Sequence, residues 1–323
     1  MCATMVHLRT GLTGRHEEEK PWRMSTPALE DLVAAELAEP AEPRVVKMAA
    51  ALAALYPGAA RAVLFYGSCL RECRLEGLML DFYLIVSDYR QAYGRRWLAR
   101  ANRLIPPNVF PFEHDGLISK YAVLSEADFR RLNGPETISV SVWARFAQPS
   151  RLVWTADEPA RARAVAAVAR AAPTLLSEAR PLFDGAEPLD LWRRGFALTY
   201  ASELRSERKE RSASVVDADP ERYRRFSGPA FAAAGIDLAL PVAETERGMA
   251  ERRWARRRRA GKALSVVRIV KASGTYAGGI DYLAWKINRH AGTQIEIKPW
   301  QRRWPLVAAL TLLPRLLRRG AIR

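Results

Sequence analysis

Cysteine and histidine are scarce in this chain. Its three cysteines, Cys2, Cys69 and Cys73, make neither an even disulfide framework nor a Cys-x-x-Cys pair. That argues against a structural zinc site and fits a reducing compartment. The four histidines, His7, His16, His114 and His290, stand apart without ligand spacing. Long apolar runs are also missing. The N-terminal stretch "MCATMVHLRTGLTGRHEEEKPWRM" has no apolar core of a secretory signal, and Glu17-Glu18-Glu19 argues against an acid-poor transit peptide. Residues 1–25 are expected to be a loose tail. Acid is short as well: 51 Lys and Arg face 35 Asp and Glu, a net charge of +16. Unless it serves only solubility, that excess calls for a membrane surface, a nucleic acid or an acidic substrate.

What is present is a globular composition, with 323 residues and 49% hydrophobic content, enough to bury a substantial core. From about Thr26 to Tyr56 the chain is rich in Ala and Leu at helical period, interrupted by Pro40 and Pro43. In "LFYGSCLRECRLEGLMLDFYLIV", Leu64 to Val86, two apolar runs flank a polar connection and read as core strands. Ser87 to Leu104 carries large residues at helical spacing and stops before Pro106-Pro107, which predicts one helix. Asp115-Gly116 between two extended runs predicts a hairpin with Lys120 and Tyr121 on the returning strand. Glu158 to Arg211 reads as almost wholly helical, a second unit. The basic run "ERRWARRRRAGK", Glu251 to Lys262, precedes a helical pattern from Leu264 to Asn288, with breaks expected at Gly274 and Gly278-Gly279.

The chemistry concentrates around Asp81. A carboxylate inside an apolar strand is costly unless it faces water, pairs with a cation or binds a metal. A strand ending in Gly67-Ser68 suits a triphosphate, because glycine admits the phosphates to the backbone and serine adds a hydroxyl. An acid on the next strand could hold magnesium against that triphosphate. Nucleotidyltransferases of the polymerase-β type combine these parts as Gly-Ser, a short helix, then Asp-x-Asp or Asp-x-Glu on a strand. Here the strand reads Asp81-Phe82-Tyr83, without the second acid. Plainer readings compete: Gly-Ser as a simple turn, Lys120 as a solvated edge lysine, Cys69 and Cys73 as packing, and the arginine run as a solvated helix face.

Four segments, "FYGSCL", "MLDFYLIV", "LISKYAVLSEADFRRL" and "ALTYASELR", follow an order and approximate spacing that resembles the mitochondrial-type CDP-diacylglycerol synthases. These are also called translocator assembly and maintenance proteins, and the chain resembles a bacterial member. The similarity runs from about Phe65 to Ala291. It implies an α+β fold: a polymerase-β-like nucleotidyltransferase domain, a mostly helical, winged-helix-like second domain, and a basic amphipathic C-terminal segment. The implied divisions are 26–155 for the first domain and 156–262 for the second. A helical segment at 263–298 would complete the catalytic module, and 299–323 would associate with membrane.

The implied activity is phosphatidate cytidylyltransfer in phospholipid biosynthesis, from CTP and phosphatidic acid to CDP-diacylglycerol and pyrophosphate, with magnesium. Carried over residue by residue, Tyr66, Gly67, Ser68 and Lys120 would contact the nucleotide. Asp81 would bind the metal, and Asp81 and Lys120 would be the catalytic pair. Glu203 and Arg205 fall where the family has an acid and an arginine. Cys69, Ala122 and Glu203 depart from the family's Gly, Gly and Asp. The implied location is the inner face of the cell membrane, or the mitochondrial inner membrane in a eukaryote.

The C-terminal stretch "KPWQRRWPLVAALTLLPRLLRRGAIR" bears on the lipid half. Its apolar core, Pro305 to Leu317, falls short of the roughly 20 residues a spanning helix needs. Trp300, Trp304 and the arginines at 302, 303, 315, 318 and 319 instead suit a segment lying among anionic headgroups. A helix docked on the protein's own core is the alternative. A second function class also stays open: a nucleotidyltransferase acting on RNA or another phosphate acceptor, or a non-catalytic nucleic-acid-binding protein. No RNA-binding motif with interleaved exposed aromatics supports it, so no nucleic-acid partner is expected.

Overall fold

The structure, a computed structural model, describes residues 26–72, 75, 77–203, 215–275 and 298–299. Two helices come first, α1 (Thr26–Ala38) and α2 (Pro43–Ala54), parted where Pro40 and Pro43 were expected to interrupt. Pro43 sits in the first turn of α2, where its missing N–H costs nothing. Strand β1 (Ala60–Tyr66), the short helix α3 (Ser68–Glu72) and strand β2 (Met79–Val86) follow, so both apolar runs around Gly67 are strands. Next come α4 (Tyr89–Ala92), α5 (Arg96–Leu104), β3 (Asn108–His114) and β4 (Leu117–Ser125). Asp115 and Gly116 turn between β3 and β4 with φ of 47° and 71°, the doubly left-handed hairpin their dipeptide predicts.

After α6 (Glu126–Leu132), α7 (Trp143–Phe146) and β5 (Ser150–Thr155), the chain turns helical through α8 (Glu158–Ala169), α9 (Ala171–Ala179) and α10 (Pro188–Tyr200). Beyond residue 214 lie α11 (Pro220–Ala234) and the long α12 (Glu244–Thr275).

Two sequence expectations are corrected. Ser87–Leu104 is two helices, because Tyr93 adopts an extended backbone (φ −118°, ψ 123°) between them. That conformation sends its ring into the core beside Tyr56, Tyr89 and Phe110, and Gly94 follows it. The second correction concerns Gly274, which does not interrupt a helix: α12 runs unbroken to Thr275. At Gly261 the absence of a side chain is needed, since a Cβ would lie 2.0 Å from the carbonyl oxygen of Ser202. Gly278-Gly279 and the expected amphipathic segment from Trp300 onward fall outside the described residues, as do Arg205 and Cys73.

The fold is mixed α+β, built on one five-stranded sheet ordered β3-β4-β2-β1-β5. β2 and β4 run parallel and every other pair antiparallel. Period-two alternation divides β2 between two cores. Leu80, Phe82, Leu84 and Val86 pack with Val45, Met48 and Leu52 of α2, while Tyr83 and Ile85 face the opposite side. On that side the core runs without a break from Leu64 and Leu124 to Trp192, Tyr223 and Trp254 of α10, α11 and α12.

Buried ion pairs tie these layers together. Arg222 of α11 and Glu36 of α1 have side chains only 4% and 8% exposed, and Arg222 also donates to the carbonyl of Ala147 at 3.1 Å. Arg257 of α12 pairs with Glu178 at 2.7 Å and donates to the carbonyl of Thr137 at 3.0 Å. Among the described residues no helix is long and apolar enough to cross a membrane.

Candidate functional site

Strand pairing assembles the site. In register, Tyr66 of β1 stands opposite Asp81 of β2, and Asp81 stands opposite Lys120 of β4. Three adjacent strands therefore bring Tyr66, Asp81 and Lys120 into one row. β4 lies inside the sheet, with β3 as the edge, so the edge-lysine reading of Lys120 is replaced. Lys120 Nζ lies 2.9 Å from Asp81 Oδ1, with the side chains 31% and 19% exposed. Close as it is, the contact is poorly aligned as a hydrogen bond: an ion pair, not a directed one.

Gly67 closes the other side of the carboxylate. It adopts φ of 98°, and a Cβ there would sit 3.1 Å from Asp81 Oδ2. Glycine is required twice over, for the left-handed backbone and for the space. Gly67→Ala is expected to cost about 1–2 kcal/mol of stability and to displace Asp81. Chemical denaturation checks the first effect; a variant as stable as the parent would show that the turn relaxes without strain. Ser68 opens α3, and Cys69 is buried, its thiol directed at the carbonyl of Met79 at 3.5 Å. Packing is therefore the role of Cys69.

The helical layer supplies a wall that the sequence reading missed. Tyr83 lies two residues after Asp81 on the same face of β2, and its ring packs 5.2 Å from Tyr66 and 5.1 Å from Phe146 of α7. Next to Phe146, Arg145 approaches Glu203 to 3.7 Å, interacts electrostatically with Tyr66 and donates to the carbonyl of Ser141. From α12, Arg268 donates to Ser141 Oγ at 3.0 Å and to the carbonyl of Pro106. Period two pointed to Tyr83. Nothing local marked Arg145 or Arg268, whose places depend on how α7 and α12 pack.

Charge inside this wall is tightly coupled. Burial raises the Tyr66 hydroxyl pKa well above its ordinary value, and Asp81 raises it further. Burial opposes the charge of Arg145, yet Glu203 and the neighbouring tyrosines more than offset it, so its pKa rises. Arg268 is pulled down by burial despite Tyr83 and Glu203. Lys271, bonded to the carbonyls of Ile105 and Pro107, is brought down to about 7 by burial and by the charge of Arg268.

A lysine whose folded pKa lies below its unfolded one binds fewer protons folded than unfolded across the interval between them. Stability therefore rises with pH from about 7 toward the ordinary lysine value near 10.5. Relative to Lys271→Met, the parent protein is expected to gain stability over that window and to run parallel below it. Denaturation curves between pH 6 and roughly 10 test this; parallel behaviour throughout would contradict it.

Compared with known proteins, the chain matches no family model, and no curated protein matches it. The site's chemistry thus rests on its own residues. Magnesium would find one carboxylate in the row, and among the described residues no three His, Cys, Asp or Glu side chains gather into a metal cage. Magnesium usually keeps several waters and takes one or two carboxylates plus substrate phosphates. Asp81, 19% exposed in its side chain and flanked by a Gly67 that adds no Cβ beside Oδ2, suits an ion that arrives with a triphosphate.

Proposed function

We propose that this protein is a magnesium-dependent nucleotidyltransferase that acts as a phosphatidate cytidylyltransferase, peripheral on an anionic membrane. The observation that carries the reading is the row of Tyr66, Asp81 and Lys120 across three adjacent strands, closed by Gly67. It supports nucleotidyl transfer because that reaction needs little covalent help from the protein. Positioning and charge stabilisation supply most of the catalysis.

An oxygen of the acceptor phosphate attacks the α-phosphorus of CTP, and the bond to pyrophosphate breaks. The Gly67 turn lets the triphosphate approach the backbone next to Ser68. Lys120 lies on the strand beside Asp81, where its ammonium would meet the phosphate charge that grows on the leaving group. Bound with the nucleotide and held by Asp81, magnesium would neutralise that same charge. Arg145 and Arg268 make the helical side of the site cationic, which suits an acidic acceptor. The lipid and the nucleotide identity come from the family resemblance, and the basic balance of the chain is consistent with both.

Labelled CTP, magnesium and phosphatidic acid give the direct test. Label in the chloroform-extractable product is the expected result. Label transferred to RNA instead, or no transfer to either, would overturn the lipid reading. Lys120→Met keeps the stem and removes the charge, so kcat/KM for CTP should fall by about ten- to a hundredfold. Stability should shift by only about 1 kcal/mol, because the pair is part-exposed. Unchanged kinetics would return Lys120 to a structural role.

A further inference from the structure

α5 carries a face that the site does not use. Its nine residues turn Ala99 and Asn102 inward, with Asn102 donating to the carbonyl of Val123 at 2.9 Å. Arg96, Trp97, Arg100, Arg103 and Leu104 are exposed. At about 100° per residue they share one arc, with the arginines along one edge and Trp97 and Leu104 along the other. Trp97 is 48% exposed and Leu104 79%, so two large apolar side chains stand together in solvent. Between Ser87 and Leu104 five arginines accompany a single acid, Asp88, which lies 3.8 Å from Arg103.

The turn that follows α5 is tied to α12. α12 reaches the end of α5, where Lys271 and Arg268 donate to the carbonyls of Ile105, Pro106 and Pro107. Arg268 is the same residue that interacts electrostatically with Tyr83 and Glu203. One side chain thus links the end of α5 with the wall around Asp81.

We propose that this α5 face docks the protein on the surface of an anionic lipid bilayer. The arginines meet the headgroups while Trp97 and Leu104 enter the interfacial layer. Nucleic acid could use the arginines and stack on Trp97, but it gives Leu104 no apolar environment. The surface lies outside residues 299–323, and its binding does not depend on the transfer reaction.

Full-length protein is floated with vesicles of phosphatidylcholine alone and with vesicles containing phosphatidylglycerol. Using phosphatidylglycerol separates surface binding from recognition of phosphatidic acid, so failure of the cytidylyltransfer reading leaves this result readable. Each arginine near an anionic surface contributes roughly fivefold to partition. The parent should therefore partition to anionic vesicles, and Arg96→Gln/Arg100→Gln should reduce this by at least about tenfold. Trp97→Ser/Leu104→Ser should also reduce it by about tenfold or more, through loss of buried apolar area. All four positions are exposed, so melting temperatures should stay unchanged. Partition within twofold of the parent in both variants would overturn the proposal. So would a loss of binding to an RNA oligonucleotide with vesicle partition intact.

Discussion

Asp81→Asn is expected to reduce cytidylyl transfer by at least about a hundredfold while the protein stays folded. The substitution keeps the shape of the side chain and removes its charge. Lys120 then faces a neutral amide where it had a carboxylate 2.9 Å away. The Gly67 turn keeps its glycine, so the space beside Asp81 Oδ2 is untouched. Structural cost should be near 1 kcal/mol, as for a part-exposed ion pair. Circular dichroism and thermal melting would then match the parent while label incorporation disappears. Near-parental transfer would remove Asp81 from the chemistry, and a collapsed fold would make it a structural acid.

The second large effect concerns stability. Glu36→Gln should destabilise the protein by about 3–5 kcal/mol, because it strands Arg222 as a buried charge without its carboxylate. Arg222 is only 4% exposed in its side chain, with Glu36 at 8%. Burial opposes the guanidinium charge, but Glu36 more than compensates, so the pKa of Arg222 is raised. Its other neighbours, the carbonyl of Ala147 and the rings of Tyr223 and Phe226, carry no full negative charge to neutralise it. The paired replacement Glu36→Leu/Arg222→Met removes both charges and should recover most of the loss. Urea denaturation of the two variants measures this. A Glu36→Gln protein within 1 kcal/mol of the parent would show that water reaches the pair (~1 kcal/mol being the surface range).

Activity and stability are thus expected to depend on different carboxylates, Asp81 at the site and Glu36 between α1 and α11. Their surroundings explain the difference. Asp81 is opposed by a part-exposed lysine and keeps 19% of its own side chain exposed, against 8% for Glu36. Both carboxylate oxygens of Glu36 are engaged by one arginine.

Much of the local structure could be read from the residues. The strands around Gly67, the Asp115-Gly116 hairpin, the proline interruption between α1 and α2, and the acid within β2 follow from period, turn chemistry and desolvation cost, which act over a few residues. Tyr93 shows the limit. A helical spacing continued through it, yet burying its ring among Tyr56, Tyr89 and Phe110 outweighed local propensity and broke the helix. In α12 the opposite holds, since the helix includes Gly274, which sequence alone marks as a break.

For the site, the sequence by itself determined the residue types and their order: Gly67 and Ser68 after an apolar strand, Asp81 inside the next, Lys120 on a returning hairpin strand. Only the tertiary structure decided that β4 lies parallel to β2 with Lys120 opposite Asp81, and that Arg145, Arg268 and Glu203 wall the same face. The reason is physical. A period of two fixes which face a side chain takes, but register and neighbour depend on burying both faces of the sheet at once, and that requirement involves helices far along the chain.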